Sequence, residues 1–304
     1  MGDYFYSVYG LTVRSEVELS ELIEINKDDI SEIHNKIDVN IKYDEIPEYV
    51  MEDINNKNGC SYSFNESWFY IPHVAIYRIC NGKDIYIKHI GGRTQEIKTF
   101  LLGGAFICLL FQRKTIAIHG GSILVNGGGI IVTGICGAGK STLTSAFRKS
   151  GYKYLADDLS VIGINSYGKL EVKTAYPQQK LCRDAAVKLG YNINKLVIID
   201  EGRDKFAVPA RNDFINLPTE LKAIFEIIAD NSVKDIKIEE IKGIKKLNYI
   251  IDNIYESDIA KYYGLDSFMN MLLEIAKKIP YYIVTRPQNL FTVDEQIHLI
   301  KSVL

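Results

Sequence analysis

The segment 134–141, GICGAGKS, constrains this chain more than any other stretch of it. Gly134, Gly139, Lys140 and Ser141 complete the pattern G-x-x-x-x-G-K-[ST], and the flanks agree with it. Residues 130–133 read as an apolar strand entering a glycine loop, and KSTLTSAFRKSG reads as a helix that stops at Gly151. Glycines let backbone N–H groups turn inward around phosphate oxygens, while the helix N-terminus adds its positive end. In such a loop Lys140 reaches the β- and γ-phosphates and the Ser141 hydroxyl ligates Mg²⁺. The expected ligands are ATP, or another nucleoside triphosphate, and Mg²⁺. The expected binding set is Gly134, Cys136, Gly137, Ala138, Gly139, Lys140, Ser141 and Thr142. A glycine-rich turn with a chance Lys-Ser is the bland alternative, and the strand-loop-helix setting argues against it. Cys136 is read as loop filler without chemistry of its own.

A chain of 304 residues exceeds one typical domain and is too short for three. Residues 4–13, 38–44 and 68–90 are aromatic and β-branched or alternating, and Asn81-Gly82 is a hairpin signal. The expectation is a β-rich N-terminal domain over 1–93. A helix over 94–112 follows, buried and packing the two halves together, within a connecting segment 94–114. A P-loop catalytic domain fills 115–304. Within it KYLADDLSVIGI reads as one strand carrying two acids, 182–190 and 217–222 as short helical or loop pieces, and 199–213 as an exposed charged stretch. Residues 223–229 and 280–286 read as strands, 232–242 as strand or helix, and 257–279 and 293–303 as helices. The fold class is α/β (α+β).

The second chemical signal is Asp157-Asp158, set soon after Lys140 where a strand should run back beside the P-loop strand. Neighbouring side chains on a strand point to opposite faces, so the two acids take different jobs. One carboxylate can hold Mg²⁺ and the other can accept a proton from an attacking hydroxyl. An acidic turn at a strand end is the plain alternative. His119, in IHGG, ends the preceding strand where glycines permit a ligand to approach, although a lone histidine is as often a satisfied core residue. Arg203, Lys180 and Arg183, with Lys205 and Arg211, are candidates for contact with transferring phosphate or an acceptor carboxylate, against solvated surface as the alternative. Arg203 is preferred among them for its place between glycine and acids in an expected loop.

The formal net charge of −2, from 36 basic and 38 acidic residues interspersed, offers no field for nucleic acid or anionic lipid. Neither is expected as a partner. Five cysteines without a C-x-x-C pair read as reduced thiols. The N-terminus lacks a basic and an apolar region in series, and the apolar stretches read as too short to span a bilayer. The expected location is the cytoplasm.

Taken together, IHGGS, GICGAGKST and YKYLADD resemble the catalytic domain of bacterial HPr kinase/phosphorylase, whose P-loop belongs to the phosphoenolpyruvate-carboxykinase-like fold. In that family a histidine lies the same distance before the P-loop lysine, and an Asp-Asp pair the same distance after it. The resemblance implies His119 on the phosphate side, Lys140 and Ser141 on phosphate and Mg²⁺, Asp157 as catalytic base or acid, and Asp158 as the metal-side acid. It covers roughly residues 113–185 well. Where the bifunctional enzyme carries a glycine-rich signature, this chain reads AYPQQKLCRDAAVKLG (175–190), so reverse phosphorolysis is not expected. Over the whole chain YGLTVRSEVELSEL, LLGGAFICLLFQRKTIAIHGGS, YPQQKLCRDA and LPTELKAIFEI are similar to HPr-kinase-related proteins of lasso-peptide and other peptide-modification clusters. That resemblance implies transfer of the γ-phosphate to a serine of a peptide or protein. The subfamily includes members of undetermined substrate. The family enzyme is hexameric, so a homo-oligomer is open, with no interface specified here.

Two other functions stay open at this point. One is a kinase of free serine or another metabolite, which a narrow closed pocket would favour. The other is a nucleotide-gated binding module without phosphoryl transfer, against which the intact acid pair argues.

Overall fold

The computed structural model of the protein describes residues 3–26, 36–200 and 204–304. It is a mixed α/β structure with two large sheets, and its contacts divide the chain into two units. The first comprises Met1–Ile116 with Asp258–Phe268, and the second Ala117–Ser257 with Met269–Leu304. The helix over 94–112 falls within the first unit, and so does the excursion 258–268, which lies inside the stretch expected as catalytic domain.

The first unit is built on strands β1 (Tyr4–Val8), β2 (Leu11–Ser15), β3 (Ile23–Glu24), β4 (Val39–Tyr43), β5 (Cys60–Ser61), β6 (Glu66–Ile71), β7 (Ala75–Cys80) and β8 (Asp84–His89). They form one sheet in the order β3-β1-β2-β4-β8-β7-β6-β5. The expected hairpin joins β7 to β8, with Asn81 at φ 54° and Gly82 at φ 62° in the left-handed region that tight turns demand. Helix Thr94–Gln112 is continuous, with a π-helical turn over Leu101–Ala105. Phe106–Gln112 is buried at every position. At its end Gln112 receives the Gly82 N–H at 2.7 Å and donates to the Ile79 carbonyl at 3.0 Å, which pins the helix to the hairpin. Contrary to the sequence reading, this helix has the length and apolar character to cross a bilayer. Its most apolar window is 61% buried in the protein, as in a core helix. Tyr263 and Phe268 from the excursion close an aromatic cluster with Phe64 and Phe111, ring centroids 5.4–6.5 Å apart.

The second unit carries β9 (Ile116–Val125), β10 (Gly128–Thr133), β11 (Lys153–Ala156), β12 (Leu159–Ile164), β13 (Leu170–Lys173), β14 (Gln178–Cys182), β15 (Val197–Asp200), β16 (Lys205–Pro209), β17 (Thr219–Asp230), β18 (Lys237–Ile241) and β19 (Tyr281–Pro287). Its sheet runs β10-β9-β12-β13-β17-β19-β18, and β10 also pairs in parallel with β17, so five strands close on themselves. Ile130, Val132, Phe147, Phe225, Val284 and Ile300 form part of its core. Two glycines permit the close packing that brings β9 to its neighbours. A Cβ at Gly120 would stand 2.2 Å from the Val132 carbonyl oxygen, and one at Gly121 2.9 Å from the Thr144 methyl.

Two expectations are corrected here. Part of the stretch read as an exposed charged loop over 199–213 is structured: β14, β16 and β15 make a three-stranded sheet, with Phe206 and Val208 buried. Flanking charges and Pro209 masked a two-residue alternation too short to stand out. The stretch read as a single acid-bearing strand is two strands, β11 and β12, with the acids at the turn between them.

Candidate active site

The loop after β10 leads into helix Lys140–Lys149, whose N-cap is Gly139. Gly134, Gly137 and Gly139 have φ of 136°, 83° and 107°, and a Cβ at Gly134 would stand 2.5 Å from the Ile227 carbonyl oxygen. Lys140 folds back over the loop, its Nζ donating to the carbonyls of Gly134 at 2.7 Å and Ile135 at 3.2 Å. Burial lowers the Lys140 pKa, opposed by the charge of Asp158. Cys136 is exposed and Ala138 buried, while Ser141 and Thr142 are partly exposed on the first helical turn.

Asp157 follows β11 directly, and Asp158 turns the chain into β12 with φ at 85°. That left-handed backbone, uncommon outside glycine, separates the two carboxylates. Strand alternation, the expected device, is not what does it. The Asp158 carbonyl receives the Gly120 N–H at 3.1 Å, which places the turn beside His119. One residue of β14 then touches both acids. The Lys180 backbone N–H donates to Asp157 Oδ2 at 2.7 Å, and its Nζ lies 3.3 Å from Asp158 Oδ2. His119 Nε2 lies 3.5 Å from Asp158 Oδ1.

The two carboxylates therefore differ in how readily they ionise. Asp157 is 6% exposed, and its Oδ1 is buried with no hydrogen-bond partner among the described residues. Burial, then the neighbouring Asp158 charge, pushes its pKa up from 3.8 to about 6. Burial also opposes ionisation of Asp158, but the hydrogen bond from His119 and the charge of Lys180 outweigh it and hold that carboxyl well below the usual range. Lys180 is raised: burial works against its charge, and Tyr176, Asp158 and Tyr255 overcome it.

Lys140, His119, Asp157, Asp158 and Lys180 are thus gathered around the start of one helix. Arg183 is not part of that set: it is half-exposed, pairs with Asp204 (Nη2 to Oδ1 2.9 Å) and lies over the Phe206 ring. Arg203 lies outside the described residues.

Several neighbours had no motif to announce them. Gln179 donates to the Ser141 carbonyl at 3.2 Å and Thr144 Oγ1 at 2.7 Å, and accepts from Arg148 at 2.9 Å. The alternation of β14 therefore sends Gln179 to helix Lys140–Lys149 and Lys180 to the acids. The Tyr255 ring stands edge-on to His119 at 5.2 Å. The Asn253 carbonyl receives the His119 N–H at 2.9 Å, and its side chain accepts from Thr133 Oγ1 at 2.8 Å. Asn253 Nδ2 meets Tyr281 Oη at 3.1 Å, and Tyr281 donates to buried Glu226 at 2.6 Å.

Among the described residues no group of three His, Cys, Asp or Glu side chains is placed to hold a metal by itself. The donors near the loop, the Ser141 hydroxyl and Asp158, suit Mg²⁺, which commonly takes one or two protein ligands and completes its shell with phosphate oxygens and water. Among the described residues no donor reaches Asp157 Oδ1, which keeps an acceptor position there.

No protein-family model matches this chain, and no curated protein matches it. Among solved structures it is similar to the Hpr(Ser) kinase/phosphatase from Coxiella burnetii, at 12% identity and a TM-score of 0.32. The match covers 62% of this chain and 92% of that one.

Proposed function

We propose that the chain is an ATP- and Mg²⁺-dependent phosphotransferase that moves the γ-phosphoryl group onto a serine hydroxyl of a peptide or protein, with Asp157 as general base. The observation that carries the reading is the unequal pair: two adjacent carboxylates, one held ionised by His119 and Lys180, the other buried with an acceptor oxygen that no described residue uses. A general base works best with a pKa near the working pH, and burial moves Asp157 toward it. The serine acceptor rests on the resemblance of IHGGS, GICGAGKST and YKYLADD to the HPr kinase family.

In this mechanism Lys140 exchanges its carbonyl partners in the glycine loop for the β- and γ-phosphates. The acceptor hydroxyl gives its proton to Asp157 Oδ1 while its oxygen bonds to the γ-phosphorus. The bond from that phosphorus to the β,γ-bridging oxygen breaks, and ADP leaves with the electron pair. Ser141 and Asp158 would hold Mg²⁺, which supplies charge neutralisation for the phosphates. His119 and Lys180 keep Asp158 ionised.

The test is incubation with γ-labelled ATP, Mg²⁺ and serine-bearing peptides. Label should enter a peptide seryl oxygen, and Asp157→Asn should lose transfer by about a hundredfold or more while still binding ATP. Undiminished transfer in Asp157→Asn would remove the base assignment. Label entering free serine but no peptide would replace the acceptor class.

A further inference from the structure

Strands β10, β17 and β19 run parallel, so their carboxyl ends share one edge of the sheet, the edge where α/β sheets bind ligands. The loop after β10 is the glycine loop. The loops after β17 and β19 flank an open cleft of ≈ 250 Å³, lined by Asn231, Val233 and Lys234 from one and by Gln288, Asn289 and Leu290 from the other, with Pro287 at the end of β19. Asn289 Nδ2 donates to Asn231 Oδ1 at 3.4 Å, so the two walls meet amide to amide.

Arg286 joins this cleft to the glycine loop. Its Nε donates to the Ala138 carbonyl at 3.0 Å, and its Nη1 to the carbonyls of Pro287 at 2.9 Å and Gln288 at 3.3 Å. A Cβ at Gly139 would stand 3.4 Å from its Nη2. One guanidinium therefore spans the distance from the residues beside Lys140 to the lining of the cleft.

We propose that this cleft receives the nucleoside end of the nucleotide whose phosphates lie on the glycine loop, a proposal that rests on the nucleotide reading above. A nucleobase has two apolar faces and a polar edge. Val233, Pro287 and Leu290 offer apolar surface, and the Asn231 and Asn289 amides offer a donor and an acceptor each. The weak amide contact across the cleft is the one the base edge displaces. Arg286 fixes the offset between base and phosphates, and so selects a nucleotide over a bare polyphosphate.

Titration calorimetry on the full chain with Mg²⁺ tests this, using ATP and inorganic tripolyphosphate, which carries the phosphates without a nucleoside. ATP binds the wild type more tightly than tripolyphosphate does. Val233→Trp, which fills the cleft, weakens ATP about tenfold or more and leaves tripolyphosphate within about twofold. The Asn231→Ala/Asn289→Ala double variant changes only exposed side chains, and it weakens ATP selectively even if Val233→Trp misfolds. ATP affinity unchanged in the folded variants, or ATP and tripolyphosphate weakened in parallel, overturns the cleft and leaves the nucleotide reading standing. A wild type that binds neither ligand overturns both.

Discussion

Asp157 is raised to about 6 by burial and by Asp158, so folding takes up a proton there between roughly pH 4 and 6 that the unfolded chain has already lost. A carboxyl with a raised folded-state pKa contributes stability below its unfolded value, and that contribution is lost as pH rises through the folded value. At pH 7.5 the ionised carboxylate therefore costs about 2–3 kcal/mol. Asp157→Asn, which keeps an acceptor for the Lys180 N–H, is expected to be more stable than the wild type by that order in urea melts with EDTA at pH 7.5. The difference should vanish near pH 4, and an Asn variant no more stable at pH 7.5 would contradict the assignment. At position 121 the fault is steric. Gly121→Ala puts a methyl 2.9 Å from the Thr144 methyl and is expected to cost about 1–3 kcal/mol. Thr144→Ser removes that methyl and keeps the hydroxyl, so the double variant should recover part of the loss in the same melts. No recovery would place the clash on the Thr144 hydroxyl, 3.2 Å away, or the Ala156 carbonyl, 3.3 Å away.

Strand β14 is the element that ties helix Lys140–Lys149 to the acids, through adjacent residues with opposite directions. Gln179→Leu leaves the buried Arg148 without one acceptor and Thr144 without its donor, at an expected cost of about 1–3 kcal/mol. Calorimetric melts would measure it, and a neutral change would mean that water or Asp213 takes over. Nothing in AYPQQKLCRDA announced this role, because the strand is five residues long and gains its meaning from partners far away in sequence. The glycine loop, its helix and the Asp-Asp pair were legible since each is a local pattern. The turn at Asp158 was not, because a left-handed aspartate leaves no trace in periodicity. Asn253, Tyr255 and Arg286 reach the site through the Ile118–Ile254 bridge and the parallel pairing of β17 with β19, neither of which a single sequence displays.

Across the molecule, the chain enters the first unit twice, so that unit is incomplete without 258–268. Residues 1–116 alone would leave Phe64 and Phe111 without Tyr263 and Phe268. That fragment is expected to lack a cooperative melt by near-ultraviolet circular dichroism, while Tyr263→Ala in the full chain costs about 3 kcal/mol or more. A fragment that melts cooperatively would show the excursion to be dispensable. The turn at 158 reaches furthest. Asparagine or glycine adopts its backbone more readily than aspartate does, so aspartate holds that position at a conformational cost that a neutral substitute would relieve. Under the proposed function, a natural relative with asparagine or glycine at that one position would keep the shape of the turn and lose its carboxylate.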